Sequence, residues 1–483
     1  MENTRPSSSY SLTLRVEYPN VTGTLGRVLQ SIGDSGGDVG AVDIIRSDHK
    51  YITRDITFGA HDPEHAQAVV AQVRVLEDVH IVNVSDRTFL LHLGGTLEIA
   101  PKVSVKNRDD LSMLYLPGVA RITQSIVENP DDIWNLSIKK NTVAVVTDGS
   151  EVLGRHEVGP AAALPVMEAK AVIFKELANV DAFPLCLDAP TVDEFVAAVK
   201  AIAPTFGAIH IEDAAPPQCF EIEARLEAAL DIPVMHNDAH GTAIVVLAAL
   251  INALKLVPKD RLDLRIVING AGAAGIATAR LLTTWGAQDI VVCDEYGALH
   301  AGREESNNRV LDAVTDHTAR TTNPRGVRGN LAQSLVGADV FIGFGGETVL
   351  QSDNIAAMNS DAIVFAMAYP QPEIETSQIE DLARIVATGR SDSTNQISNM
   401  LCFPGFFRGL LDARATGVSD EMKIAAAQAI ADVIGRDELH EDLLLPSIFD
   451  KRVAPAVANA VKREAMRGNM SRRSATSGTS STR

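Results

Sequence analysis

Residues 264–276 read LRIVINGAGAAGI. An apolar strand predicted over 264–269 runs into Gly270, Gly272 and Gly275, with Ala271 and Ala274 between them, and a helix follows. The first glycine permits a tight turn, the second lets the backbone approach a pyrophosphate, and the third lets helix and strand pack closely. The helix N-terminus supplies free N–H groups for the phosphates. A second predicted strand, DIVVCDEYG, ends on Asp294, close to the ~20-residue spacing expected of a ribose-binding acid. Its carboxylate can accept both ribose hydroxyls. A 2′-phosphate there would meet Asp294, with no arginine immediately adjacent, so NAD is favoured over NADP.

Three carboxylates stand where strands end. Glu212 and Asp213 follow the apolar run GAIHIED, and Asp238 precedes a long apolar helix in PVMHNDAHGTA. Carboxylates gathered from separate strand ends form an oxygen cage suited to Mg²⁺ or Mn²⁺, although acidic pairs at strand ends are also common without a metal. His236 and His240 could share a helix face, but HNDAH lacks the glutamate of HExxH. Structural histidines are the better reading. Tyr115 precedes a Pro-Gly turn in LYLPGVA. Lys170, in LPVMEAKAVIFKE, is predicted in an apolar strand, where burial would lower its pKa. A snorkelling lysine is the alternative, and Lys175 competes on local grounds.

These residues need strands to aim them. NTVAVVTDG, AVIFKEL and GAIHIED read as strands of one α/β segment, and GADVFIGFGG and DAIVFAMAYP as later strands of a doubly wound domain. DEMKIAAAQAIADVIG and VAPAVANAVKREAM read as helices. Upstream, SYSLTLRVEY, a helix after Pro19, DVGAVDIIRSD, KYITRDITFGA, a helix opened by Asp62 and Pro63, and DVHIVNVSDRTF give the order βαββαβ, a ferredoxin-like pattern.

The chain has 483 residues, enough for several domains. Its formal net charge of −19 argues against a nucleic-acid partner. No apolar run reaches the roughly 18 residues of a membrane span, and MENTRPSSSYSL lacks the pattern of a signal peptide. Its four cysteines are widely spaced with no CxxC pair, which fits a reducing cytoplasm.

The βαββαβ unit, with its loop Asn20-Val21-Thr22-Gly23 followed by Leu25 and Gly26, resembles an ACT domain. That implies either an amino-acid effector or a module used only for dimer contacts. From about residue 107 to 465, the strings LYLPGVA, ALPVMEAKAVIFKELANVDAFPLCLD, IEDAAPPQCFEIEARL, HGTAIVVLAALINALKLV, INGAGAAGIA, ATGRSD and CFPGFFRGLLDARAT resemble the bacterial malic enzymes, in that family's order. The resemblance implies an α/β fold: a Rossmann-type NAD domain and a malic-enzyme N-terminal domain, preceded by the ACT-like unit. The expected boundaries are 9–86 for that unit, 87–110 for a connector, 111–238 and 239–395 for the catalytic and NAD domains, 396–466 for helices packing back, and 467–483 for a disordered tail.

By position, the resemblance makes Tyr115 and Lys170 catalytic. Glu212, Asp213 and Asp238 become ligands to Mg²⁺ or Mn²⁺, the glycine turn and Asp294 the NAD site, and Asn399 a substrate contact. It implies oxidative decarboxylation of malate or a malate-like 2-hydroxy acid, in a homodimer or larger homo-oligomer. Lys170 would accept the hydroxyl proton and Tyr115 would protonate the enol carbon. An NAD-retaining lyase and a non-catalytic regulatory protein are the competing classes. Several positions depart from the family: Leu116 in YTPGVA; Arg155, His156 and Glu157 in place of a glycine-rich string; Asn237 in place of an acid; Tyr369 and Ser398 in place of asparagines; and GGET in place of SAPG. Most of these lie on the expected substrate side, so Arg155 and Tyr369 become candidate substrate contacts for a substituted malate.

Overall fold

The structure is a computed structural model, described over residues 6–156, 158–303, 312–346, 349–369, 371–390 and 393–472. The chain divides into two compact units, Met1–Ile99 and Ala100–Arg483.

The first unit runs β1 (Ser7–Pro19), α1 (Thr24–Asp34), β2 (Asp38–Ser47), β3 (Tyr51–Ala60), α2 (Pro63–Arg74), β4 (His80–Asp86) and α3 (Arg87–Leu91). The strands lie in the order β2-β3-β1-β4 with antiparallel pairing, so the βαββαβ reading matches the architecture. Alternation in β1 sends Leu12, Leu14, Val16 and Tyr18 inward, where they meet Val28 and Ile32 of α1 and Val69, Val70 and Val73 of α2. Each such buried side chain contributes about 1.5–3 kcal/mol. On the opposite face, β1 and β3 share polar pairs. Arg15 grips Asp55 through two 2.8 Å hydrogen bonds, and the Thr13 and Thr57 hydroxyls lie 2.9 Å apart. Asp62 caps α2 by accepting from the His65 N–H, as its position before Pro63 led us to expect. The expected connector carries α3, capped by Asp86 and tied to β1 by the Thr88 hydroxyl on the Ser9 carbonyl.

The second unit opens with α4 (Arg108–Leu114), α5 (Gly118–Glu128) and α6 (Ile133–Leu136). It continues through β5 (Thr142–Thr147), the hairpin β6 (Glu151–Val152) and β7 (Arg155–His156), α7 (Pro160–Ala178), β8 (Asp181–Cys186), α8 (Val192–Ile202), β9 (Ala208–Ile211), α9 (Gln218–Ala229) and β10 (Val234–His236). The sheet order is β10-β9-β5-β8, all parallel. A five-residue π turn, Asn237–Gly241, leads into α10 (Thr242–Ala253), which is buried from Ala243 to Ala253. A helix apolar on every side belongs in a core, and α10 is the central post of this unit.

Next come β11 (Arg265–Asn269), α11 (Ala273–Trp285), β12 (Asp289–Asp294), β13 (Gly297–Ala298), α12 (Ala313–Thr321), α13 (Leu331–Leu335), β14 (Val340–Gly343), α14 (Ser352–Ala356), β15 (Ile363–Ala366) and β16 (Ile385–Thr388). The sheet order β13-β12-β11-β14-β15-β16 is parallel except for β13, which is the doubly wound architecture expected. The helices α15 (Phe403–Ala413), α16 (Asp420–Ala431) and α17 (Val453–Arg467) complete the unit. Gly405 and Gly409 let α15 and α17 cross closely: a Cβ on Gly409 would come within 2.6 Å of the Ala458 carbonyl oxygen.

Two expectations are corrected. AVIFKEL is helical, and Lys170 stands in the middle of α7 rather than in a strand. The reason is the longer pattern: Ala163, Met167, Ala171 and Phe174 are buried at helical spacing, behind Pro160 in the first turn. The expected tail is ordered through residue 472. The Ser471 hydroxyl donates to the Ala413 carbonyl at 2.6 Å, and Arg472 reaches the Asp231 carbonyl at 2.6 Å; the rest of the tail lies outside the described residues. All four cysteines are free thiols. Among the described residues no helix is long and apolar enough to cross a membrane.

Candidate active site

Helix α7 delivers Lys170 to the C-terminal ends of β9 and β10. Glu212 extends β9, its N–H bonded to the Val146 carbonyl at 3.0 Å. Asp213 then takes a left-handed conformation, φ 53°, which turns the chain out of the sheet. Asp238 sits on the π turn after β10. Oxygens of Glu212, Asp213 and Asp238 lie within 4.8 Å of one another. Lys170 Nζ is 2.8 Å from Glu212 Oε1 and 4.9 Å from the centre of the Phe403 ring. Asp238 Oδ2 accepts the Asp213 N–H at 2.8 Å and lies 3.3 Å from His236 Nε2.

A further layer holds these groups in place. His210 Nε2 meets Glu212 Oε2 at 2.5 Å, with its ring boxed by Phe174, Phe403 and Phe407 at 5.1–5.5 Å. Asn237, the departure from an acid, donates to the same Glu212 oxygen at 3.2 Å. Glu223 of α9 accepts the His236 N–H at 2.6 Å and faces His240 Nε2 at 3.0 Å, while Lys423 of α16 reaches His240 Nδ1 at 3.1 Å. His236 and His240 thus brace the acidic turn from behind. His210 and Glu223 were missed in the sequence. For His210 the signal was present: at i−2 on a strand it shares a face with Glu212.

Burial opposes a charge on Lys170, but Glu212, Asp238 and Asp213 outweigh it and hold the ammonium above its ordinary pKa, the reverse of the expectation from apolar surroundings. Burial, reinforced by Asp238 and Glu212, pushes Asp213 up to about 8. Burial also works against ionised Asp238, yet His236 prevails and keeps that carboxyl below the usual range. Burial lowers His210, favouring its neutral form. Glu223 is buried too, but His240 and His236 bring it down to about 2.

The carboxylate set fits a divalent cation. Its donors are hard oxygens from three positions, and Asp213 Oδ2 is buried with no hydrogen-bond partner among the described residues. A cation would supply that partner and would reverse the repulsion that raises Asp213.

Each glycine of the turn has its own steric setting. Gly270 has φ +106°, and a Cβ there would sit 2.9 Å from the Gly345 nitrogen. A Cβ on Gly275 would collide with the Gly270 carbonyl, whereas Gly272 faces open space. Gly272 precedes α11 with no side-chain cap, which leaves the helix N–H groups for a phosphate. Ala271 and Ala274 lie in the same turn and first helical residues. Asp294 ends β12 and is partly buried. Arg303 Nη2 lies 2.8 and 2.9 Å from its two oxygens, so an arginine is adjacent in space though not in sequence. Asn269 and Gly343 end β11 and β14 on the same side of the sheet.

Asn399 lies on the short turn Asn399–Leu401, which packs against the turn bearing Asp238. Arg155 is exposed on the β6–β7 hairpin, whose Glu151 N–H bonds the Asp213 carbonyl at 3.2 Å. A Cβ on neighbouring Gly154 would lie 3.3 Å from the Tyr369 carbonyl oxygen. The hairpin therefore links the loop bearing Asp213 to the loop after β15, and two departures fall side by side. Glu157, Thr348 and Glu347 lie outside the described residues, as does the side chain of His156. Tyr115 is not brought to the cluster: it caps α4 and is 63% exposed, and neither α4 nor α5 has a buried residue.

A doubly wound sheet carrying a glycine-rich turn, facing a lysine among three carboxylates, defines a nicotinamide-dinucleotide oxidoreductase with an acidic cation site. Residues 239–466 match the family described as "Malic enzyme, NAD binding domain", and residues 94–192 and 189–227 match "Malic enzyme, N-terminal domain". The chain belongs to the malic enzyme family. It is 46% identical to the NAD-dependent malic enzyme of Geobacillus stearothermophilus over 96% of both chains, a span that includes the N-terminal unit. It is 50% identical to the bifunctional malic/malolactic enzyme of Bacillus subtilis (strain 168), covering 78% of this chain and 92% of that one. Among solved structures, an NAD-dependent malic enzyme from Thermotoga maritima superimposes with a TM-score of 0.74 at 39% identity, over 78% of this chain and 99% of that one.

Proposed function

We propose that this chain converts malate and NAD to pyruvate, CO₂ and NADH, with Mg²⁺ or Mn²⁺ held by Glu212, Asp213 and Asp238. The observation that carries this reading is Lys170 Nζ, 2.8 Å from Glu212 within the three-carboxylate group. A divalent cation, when bound, would polarise the oxygen on C2 of the substrate and cancel the negative charge that now raises Lys170. Lys170 takes the proton of the 2-hydroxyl as the C2–H hydride leaves for the nicotinamide. His210 and Asn237 keep Glu212 aimed, and Asn399, Arg155 and Tyr369 line the substrate side. Loss of CO₂ leaves an enol whose C3 needs a proton, the role of Tyr115.

We place that tyrosine in the site of a second copy in a homodimer, a reading that its exposure between α4 and α5 supports. If so, inactive Tyr115→Phe and Lys170→Ala proteins recover activity when mixed and reassembled; a mixture that stays inactive removes the shared site. For the whole reading, the test is NADH absorbance growing with malate, NAD and Mn²⁺, and lost in Lys170→Ala. A protein that binds NADH and Mn²⁺ but turns over no malate sinks it. The Bacillus subtilis relative's malolactic name favours a second reading on the same site, in which NAD is retained and lactate leaves. Lactate forming without free NADH would identify it. The arginine and tyrosine beside the hairpin leave a substituted malate as a finer alternative, and a substrate panel decides it. An amino acid at the Asn20–Gly26 loop of the N-terminal unit completes the proposal. Amino acids that leave both the rate and the thermal midpoint unmoved would remove that effector.

A further inference from the structure

Resting on the malate reading above, we propose that Glu373 is a positioning residue for hydride transfer. Its buried carboxyl joins the loop that lies against the glycine turn to the loop that reaches the β6–β7 hairpin, and so aligns the nicotinamide with C2 of the substrate. The strands β14 and β15 are parallel neighbours, with Gly343 opposite Ala366, and their C-terminal ends open on the ligand side of the doubly wound sheet. The loop after β14 turns towards the dinucleotide site: the Phe344 N–H donates to the Asn269 carbonyl at 2.7 Å, and the Gly345 backbone closes on Gly270. The loop after β15 turns towards the acids. Its Tyr369 carbonyl packs against Gly154 of the hairpin, whose Glu151 N–H holds the Asp213 carbonyl. Glu373 stands between the two. Oε2 accepts the Ala368 N–H at 3.3 Å, the Glu373 carbonyl accepts the Leu350 N–H at 3.1 Å, and the Gly345 N–H also favours a charge on the carboxyl. A Cβ on Gly343 would collide with that carboxyl, so the end of β14 is kept bare to admit it.

The residue type is costly at this place. Glu373 is fully buried, and Oε1 has no hydrogen-bond partner among the described residues. A glutamine has the same shape and would avoid burying a charge. It offers only one acceptor oxygen, however, and its amide would turn N–H groups towards the donors of Ala368 or Gly345. A carboxylate alone can accept from both loops. A group that lowers stability and stands between cofactor and substrate loops fits the trade of stability for activity found at reaction centres. Alignment is where such a trade returns most, because a misplacement of about 1 Å costs about a hundredfold in rate.

The test is single-turnover NADH formation at pH 8 from malate and from malate deuterated at C2, with Mn²⁺ present, alongside urea unfolding of the same proteins. Glu373→Gln should form NADH about tenfold more slowly and yet unfold at a higher urea concentration than the parent. Opposite changes in rate and stability are a signature that a merely structural role does not produce. Glu373→Ala, which removes both acceptors, should be about a hundredfold slower. In both variants NADH and Mn²⁺ affinities should stay within about threefold, and the deuterium isotope effect on kcat should rise as hydride transfer becomes the slow step. Glu373→Gln that is more stable and equally fast overturns the proposal, as does Glu373→Ala whose rate falls only in proportion to its unfolded fraction. A rate loss matched by an equal loss of NADH affinity also overturns it, because the carboxyl would then serve binding and not alignment. An unmodified enzyme that forms no NADH from malate sinks the malate reading instead, and this role with it.

Discussion

Glu373 offers a stability test that needs neither substrate nor metal. Its side chain is fully buried against Gly343, beside the turn that follows β14. Oε2 accepts the Ala368 N–H at 3.3 Å, and Oε1 has no partner among the described residues. Burial pushes the carboxyl from an ordinary 4.5 up to about 7, and N–H groups of Glu373 itself, Ala368 and Gly345 pull it back only in part. The folded protein thus keeps a proton that the unfolded chain releases above about 4.5. Stability falls as pH rises from about 4.5 to about 7 and stays reduced beyond. The full penalty is about 3 kcal/mol, on the order of magnitude of one well-packed core side chain. Glu373→Gln is isosteric and cannot ionise. Urea unfolding of the two proteins between pH 5 and 8 isolates this one group, because every other titration cancels in the difference. The variant should exceed the parent by under about 1 kcal/mol near pH 5 and by about 3 kcal/mol at pH 8. Parallel curves across that range would refute the argument, and a variant less stable at pH 8 would reverse its sign.

Further outcomes follow from the site and the core. Lys170→Met should cut kcat by at least about a thousandfold while Mn²⁺ binding persists, since the carboxylates remain; stopped-flow kinetics with Mn²⁺ titration checks both. Asp213→Asn should weaken Mn²⁺ at least about tenfold in calorimetry with little loss of stability, because it also removes a repelled buried charge. Gly409→Val should destabilise the second unit by about 1–3 kcal/mol, read as a lower urea midpoint, because α15 and α17 have no room for a branched side chain.

Much of the site was legible in the sequence because its chemistry is local. Gly270, Gly272 and Gly275 occupy one turn, and their three jobs follow from spacing along a strand–turn–helix. Asp294, Glu212 and Asp213 stand at strand ends that alternation and apolar runs reveal. The βαββαβ succession of the first unit was visible for the same reason. Lys170 was assigned to a strand because seven apolar-rich residues look alike in strand and helix, and only a count over α7 resolves the period.

What the sequence determined by itself, then, was the inventory: a glycine turn, three acids, a lysine and a tyrosine, each beside the element that carries it. Tertiary structure decided their company. It placed Lys170 among Glu212, Asp213 and Asp238, which raises its pKa where apolar neighbours would have lowered it. It set His210 and Asn237 on Glu212 and Glu223 behind His236 and His240. It brought Arg303 onto Asp294, nine residues away along the chain and in direct contact in space. It left Tyr115 exposed on α4–α5. Proton affinity and charge pairing depend on distances of a few ångströms between side chains, and those distances arise only when separate strands and helices pack.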